Sequence, residues 1–440
     1  MMRSLYAGVS GLQNHQIRMD VIGNNVANVN TTGFKKSRVN FQDMLSQMIS
    51  GAARPTDEVG GVNPKQVGLG MLISSIDTIH TQGSVQTTGN KTDLSIMGEG
   101  FFIIKDGDRE FYTRAGAFSI DEEGRLVNPA NGRRVQGWAA QTVAGEVSIN
   151  TASDLTDLII PVYGKDMPRT TTEVIYRSNL DQRTEAPPLG EEHVSTMQIY
   201  DSLGNTHELR LTFSKVADVN NQWQVAVTVD GADAIAELGG GASTSNLFTI
   251  NFDTQGRILS AVDSEGDTVD AGQLLVGIAY DIPGAEPLNF NLNLGTAGEF
   301  NGITQTADVT TTKSVEQNGF GLGYLVDFQI DQSGVITGVY SNGANRMLGQ
   351  VALATFTNPG GLEKAGENTY VVSNNSGNPL IGPSGTEGKG KILSGTLEMS
   401  NVDLAEQFVD MIITQRGFQA NSRTITTSDQ MLQELLTLKR

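Results

Sequence analysis

ANVNTTGFKK, residues 27–36, follows a stretch that reads as the first helix of a 440-residue chain. Its polar positions are two asparagines and two threonines, joined by one glycine, one phenylalanine and a lysine pair. The segment is too polar to be core and too patterned to be slack linker. What it does therefore depends on what the two ends of the chain are.

Upstream, Met2, Leu5, Val9, Leu12, polar Gln16 and Met19 follow a spacing of three to four, and Ile22, Val26 and Val29 continue it after a one-residue shift. That is a heptad-like stripe with polar residues on the other faces. Gly8, Gly11 and Gly23 weaken it as a free helix by about 1 kcal/mol each relative to Ala. An isolated helix of this length is marginal in water, so it needs a partner. The other terminus supplies one: Leu404, Met411, Phe418, Ile425 and Leu432 recur every seventh residue, with Phe408 and Leu436 at companion positions and Gln415, Ser422 and Asp429 interrupting. Ser400 and Asp403 form a capping-box pattern at its start. A helix from there to the C-terminus runs about 36 residues, roughly 54 Å. The two ends together predict a discontinuous helical domain built from both termini; the alternative is two amphipathic helices packed separately on a globular core.

Between them the chain reads as β. FFIIKDGDREFYTRAGAFSI, residues 101–120, is two strands around an Asp-Gly turn. An apolar–Asp–x–x–Gly punctuation recurs at Asp121, Asp201, Asp253, Asp263 and Asp331. There the carboxylate caps turn backbone and the glycine takes positive φ; calcium needs more oxygen ligands than most of these loops offer. Residues 70–100 alternate without helical period and read as extended, and the Gly/Ser-rich stretch 239–246 reads as a long loop. The order is helix, extended linker, β, inserted β, β again, helix, so the chain goes out and comes back as a rod-shaped subunit with both termini at one end.

Composition agrees: 38% of residues are apolar, with 51 Gly against 12 Pro, a β-rich and turn-rich profile. A formal charge of −19 argues against nucleic acid or anionic membrane as partner, since both need a basic face. With no Cys there is neither a disulfide nor a thiolate metal site. No apolar run is long enough to insert in a membrane. The N-terminus lacks an apolar signal core and a cleavage site, so signal-peptide secretion is not expected. His15, His80, His193 and His207 show no metal-ligand spacing, and no nucleophile elbow, phosphate loop or dinucleotide fingerprint is present. Nothing singles out a carboxylate pair, and neither an enzyme nor a cofactor is expected.

With both ends read, the opening segment finds its place. NNVANVNTTGFKKSRVNF, residues 24–41, resembles the N-terminal motif of the bacterial flagellar axial proteins, the rod, hook and hook-associated family. Residues 408–440 resemble that family's C-terminal helix. LSIMGEGFFIIKDGDREFYTRAGAFSIDEEGRLVNPANGRRVQGW, residues 94–138, resembles the β domain its hook and distal-rod members share. The long insert, with TMQIYDSLGNTHELRLTFSKV at 196–216 followed by Trp223, is similar to the outer domain of the hook branch.

The resemblance implies a multidomain fold: a discontinuous α-helical coiled-coil terminal domain with two mainly-β domains nested as insertions. Its plan is an inner helical domain (1–30 and 396–440), an extended connector (31–90), a middle β domain (91–148 and 321–395) and an outer β domain (149–320). It implies a structural subunit that polymerises with itself into a curved tube, a universal joint between motor and filament. Its partners would be the hook cap, the distal rod, the hook–filament junction proteins and the flagellar type III export apparatus. The assembly residues would be Leu5, Val9, Leu12, Met19, Ile22, Val26, Leu404, Phe408, Met411, Phe418, Ile425 and Leu432. Asn28, Thr31, Gly33 and Phe34 would form a load-transmitting connector.

YRSNLDQRT, residues 176–184, looks closest to spirochaete hook proteins, whose subunits are joined by lysinoalanine between a Lys and a Cys. That likeness puts the hook in the periplasm; otherwise it lies outside the cell. The matching positions are Lys165 and Ser178, the latter where that group carries Cys. Either the serine removes the bond, or it stands for a side chain that has already reacted. Two other readings remain open: a distal-rod protein with a large insert, and an exported β-rich adhesin, which would not need heptad-bearing termini.

Overall fold

The computed structural model describes residues 2–52, 54–55, 60–143, 146–187, 190–217, 219–238 and 245–437. Residues 239–244 of the expected Gly/Ser loop lie outside the described residues. The chain divides into two compact units: residues 1–162, 328–338 and 346–440 in the first, and residues 163–327 and 339–345 in the second.

In the first unit, helix α1 (Met2–Ala27) packs antiparallel on helix α2 (Leu404–Thr437). Ser4 meets Ser428 near one end of the pair, and Asn25 meets Gln407 near the other. The companion row of the seam is not the one the apolar spacing suggested. Phe408 and Leu436, expected at the companion positions, are 50% and 70% exposed, whereas the buried residues of α2 are Gln407, Thr414 and Ser428. On α1 the buried set is Gly8, Gly11, Asn14, Ile22 and Asn25, while Leu5, Val9, Leu12, Met19 and Val26 are half-buried. The reason is close approach. A Cβ on Gly11 would stand 2.6 Å from Asn421 Nδ2, and one on Gly417 would stand 2.7 Å from His15 Nε2. Two of the glycines that weaken α1 in isolation are thus where α2 comes nearest, near Thr424 for Gly8 and Asn421 for Gly11.

The start of α2 also differs from expectation. Asp403, not Ser400, is the N-cap: its Oδ1 accepts from Ala405 N at 2.8 Å. Ser400 Oγ accepts instead from Val402 N, one step before the helix.

Beyond α1 the chain runs through strand Ser37–Asp43, which pairs antiparallel with Met71–Thr78. Between these two lies an exposed hairpin, Ser46–Ser50 with Lys65–Gly68. The β portion of this unit interleaves both halves of the sequence. Its central order is Asn345–Thr355, Arg134–Ala139, Phe101–Asp106, Arg109–Thr113, Thr369–Val371 and Glu363–Gly366. Phe101, Ile103, Tyr112, Trp138, Phe356 and Tyr370 fill one core, with the rings edge to face.

The second unit is two sheets face to face. One carries Glu173–Asp181, Gln273–Tyr280 and Leu288–Thr296, the other His193–Tyr200, Thr206–Lys215, Gln222–Val229 and Leu247–Phe252. Alternate residues of both sheets point inward: Tyr176, Leu209, Leu211, Phe213, Trp223, Val225, Phe248, Leu292 and their neighbours form one continuous core. The Asp-x-x-Gly punctuation is structural. In all five turns Oδ1 of the aspartate accepts two backbone N–H groups two and four residues on, as Asp201 does from Leu203 and Asn205, and Gly204 takes φ +86°. The turn at Asp263 has the same bonds from Glu265 and Asp267.

Candidate assembly faces and the buried connector

The connector ANVNTTGFKK ends α1 and then meets the far end of the chain. Thr31 folds back on Asn28, its Oγ1 donating to Asn28 Oδ1 at 3.1 Å. Gly33, at φ +68°, donates its N–H to Glu398 O at 2.8 Å. A Cβ there would fall 2.5 Å from Ala115 N, so only glycine lets the connector lie against the β strands. Phe34 accepts from Asn401 N through its carbonyl, and the Lys364 ammonium lies 5.4 Å from its ring centre. Asn28, Thr31, Gly33 and Phe34 are thus brought into one turn.

Next to this turn lies a constellation that sequence reasoning missed. Lys35 and Glu398 are both fully buried, with Nζ 2.6 Å from Oε1. Lys35 Nζ also donates to Thr81 O at 2.8 Å, and Gly83 N donates to the same carboxylate oxygen at 2.9 Å. Arg114 approaches the second oxygen at 3.3 Å and donates through its other terminal nitrogen to Gly98 O at 2.7 Å. Burial lowers the Lys35 pKa, opposed by the Glu398 charge and hydrogen bond and assisted by Arg114. One carboxylate thus ties together the connector, the linker, the β strands and the segment leading into α2. The lysine pair was the visible signal, but a buried lysine looks like a solvated one until its partner is known. The second lysine is the ordinary kind: Lys36 Nζ reaches Glu406 Oε2 at 2.7 Å at the surface.

Asn25 continues the stitching. Its side chain donates to Ser37 O at 2.8 Å and accepts from Ser37 N at 3.0 Å, and it also donates to Gln407 Oε1. Arg18 pairs with Asp410 at 2.9 Å.

The outward face of α2 is apolar. Phe408, Val409, Ile412 and Ile413 are 50%, 56%, 52% and 54% exposed in the single chain. Of the expected assembly residues, Ile22 is buried, Met411, Phe418, Ile425 and Leu432 are half-buried, with Ile425 beside Gly8 of α1, and Leu404 and Phe408 are exposed. A contiguous apolar helix face of this kind marks an interaction surface.

Lys165 and Ser178 both belong to the second unit but to different sheets. Lys165 lies in the short strand Lys165–Asp166 opposite Tyr324. Ser178 lies in Glu173–Asp181 opposite Ile303, with φ +97°. His207 is held by two carboxylates, Asp230 at 2.6 Å and Asp201 at 3.4 Å. Among the described residues no group of His, Asp and Glu is arranged to hold a metal ion, and no helix is long and apolar enough to cross a membrane.

Four family profiles match along the chain: "Flagella basal body rod protein" at residues 5–35, "Flagellar hook protein FlgE/F/G D1 domain" at 95–165, "Flagellar basal body protein FlaE D2 domain" at 179–320 and "Flagellar basal body rod FlgEFG protein C-terminal" at 393–438. The flagellar hook protein FlgE of Treponema pallidum is 56% identical over 463 residues, covering 100% of both chains. That of Borreliella burgdorferi is 53% identical, again over 100% of both, and that of Salmonella typhimurium 33% identical over 99% of this chain and 100% of its own. A crystal structure of Helicobacter pylori flagellar hook protein FlgE2 aligns with TM-score 0.48 at 16% identity, over 70% of this chain and 98% of that one. Full-length identity above one half, together with axial-protein profiles at both termini and hook-type domains between them, means that the chain belongs to the flagellar hook protein FlgE family.

Proposed function

We propose that the chain is the polymerising subunit of the hook, assembling with its own copies into a curved, flexible tube that passes torque from motor to filament. The observation that carries this is the apolar outer face of α2, which the single chain leaves in water. Burying those side chains against neighbouring copies, in coiled-coil fashion, favours polymerisation through the hydrophobic effect. Polar residues that interrupt the apolar stripe of α2, such as Gln415, Ser422 and Asp429, let contacts between copies shift as the tube turns. In this reading the terminal helices form the inner layer, residues 31–90 the connector, and 91–148 with 321–395 the middle domain. Residues 149–320 form the outer domain, nested within it. The chain travels unfolded through the flagellar type III apparatus and meets the hook cap, distal rod and junction proteins. Its kinship with spirochaete hook proteins supports a periplasmic hook.

Electron microscopy of purified chain induced to polymerise tests this. The unaltered chain is expected to give curved tubes. Ile412→Asp with Ile413→Asp is expected to give none while the monomer keeps its circular dichroism spectrum. Tubes from that variant would overturn the role of the face, and straight tubes from the unaltered chain would favour a distal-rod part instead.

A covalent bond between Lys165 of one copy and position 178 of another is a second element of the proposal, supported by the backbone at Ser178. Loss of water from Ser178 leaves dehydroalanine. The neutral Lys165 amine then adds to its β-carbon, and the amine proton passes to the α-carbon. Hydroxide is a poorer leaving group than the sulfide a cysteine would release, consistent with the lower pKa of a thiol. Mass spectrometry of proteolysed native tubes is expected to find a peptide joining 165 to 178; only linear peptides with intact Ser178 would remove this element.

A further inference from the structure

Ser178 has φ +97° in the interior of the nine-residue strand Glu173–Asp181. The other described non-glycine residues with positive φ, such as Tyr163, Asn221 and Asp230, lie in turns. At this φ the Cβ of an L-residue is pressed toward the preceding carbonyl, a conformation essentially reserved for glycine. It persists only where the surroundings over-determine it.

Here they do. On the N-terminal side, Tyr176 and Arg177 pair antiparallel with Ser314 and Lys313, after a register shift between Ile175 and Tyr176. Ser178 itself and the residues after it pair in parallel with Ile303–Thr306. Asn179 is locked through both its side chain and its backbone. Its Oδ1 accepts from Thr306 N at 2.8 Å, its Nδ2 donates to Asp308 O at 3.0 Å, and its carbonyl accepts from Thr311 N at 2.8 Å.

We propose that this clamp sets the stereochemistry at position 178: any adduct formed there through dehydroalanine carries the D configuration at its α-carbon. The inference rests on the reading of position 178 as the acceptor of the intersubunit bond, and extends it to stereochemistry. In the elimination, solvent base removes the Cα proton, that electron pair becomes the Cα=Cβ bond, and hydroxide leaves, so the sum is loss of one water. The planar α-carbon has no handedness, and the penalty particular to an L-residue at positive φ disappears. In the addition, a nucleophile's lone pair bonds to Cβ, the π pair moves to Cα, and Cα takes up a proton. With the neighbouring backbone held, the hydrogen settles on the crowded side and Cβ on the open side. The φ values open to a D-residue mirror those open to an L-residue, so φ +97° carries no penalty from handedness in that product.

The test uses the full chain, which has no native cysteine. Ser178→Cys is doubly alkylated with a dibromide and eliminated to dehydroalanine, then treated with 2-mercaptoethanol either folded or in guanidinium. Acid hydrolysis and chiral chromatography of the hydroxyethyl-cysteine read the configuration. The folded chain is expected to give at least a five-fold excess of D, and the denatured chain a ratio near one. A ratio near one, or an L excess, from the folded chain overturns the inference. No cross-link enters this assay. A D excess beside native tubes with no 165–178 peptide would sink the cross-link reading alone, whereas a cross-link of L configuration would sink this inference alone. A second variant checks the strain directly: Ser178→Gly is expected to melt several degrees above Ser178→Ala, and equal melting would remove the premise.

Discussion

Lys35 and Glu398 are 363 residues apart in sequence and 2.6 Å apart in space, with neither side chain reaching solvent. Two buried charges are tolerated here because almost every remaining valence is spoken for, by Thr81 O, Gly83 N and Arg114. Such a pair adds little over an apolar replacement, but removing one partner strands the other. Glu398→Ala is therefore expected to destabilise the first unit by about 3–5 kcal/mol. The measurement is the denaturation midpoint of that unit, and a shift equivalent to less than 1 kcal/mol would contradict it. Lys35→Met should cost less, since Glu398 keeps Arg114.

His80 gives the same region a pH dependence. Its ring lies edge-on to Phe101 and Tyr370. Burial first, then the charges of Lys35, Arg114 and Lys364, push its pKa from 6.5 down to about 4. The unfolded chain takes up this proton below about 6.5 and the folded chain only near 4. The stabilisation is complete above the unfolded value and declines as pH falls through that window, by roughly 3 kcal/mol in all. His80→Phe is expected to flatten the stability profile between those two values. An unchanged slope in denaturation measured across the window would show that His80 does not carry it.

Two glycines give opposite predictions. Gly33 has φ +68° and no room for a Cβ beside Ala115, so Gly33→Ala is expected to cost about 2 kcal/mol or more. Gly23 lies in α1 with nothing within 4 Å of where a Cβ would stand, so Gly23→Ala is expected to stabilise by about 1 kcal/mol. Thermal melting of both variants checks the pair, and shifts of the same sign would count against this account.

Asn25 satisfies both backbone groups of Ser37 at once. Asn25→Ala leaves them without that partner in a half-buried place, at an expected cost of about 1 kcal/mol. Hydrogen exchange should quicken at the Ser37 amide more than at amides of the hairpin Ser46–Ser50. Equal protection in the variant would mean the bond is dispensable.

The sequence alone determined the elements. Apolar spacing marked both terminal helices, the Asp-Gly pair at 106–107 marked the hairpin of Phe101–Asp106 with Arg109–Thr113, and five Asp-x-x-Gly turns stood out because their chemistry is local. Motif order also sufficed to point to the family. Tertiary structure decided what depends on distance between remote segments. Which row of α2 faces α1 was settled by how closely Gly8, Gly11 and Gly417 let the helices approach, so Gln407, Thr414 and Ser428 took the seam from Phe408. Lys35 could be buried only once Glu398 arrived from the far end of the chain. The φ of Ser178 is imposed by strands pairing on both its sides, and no local propensity of Arg-Ser-Asn encodes it.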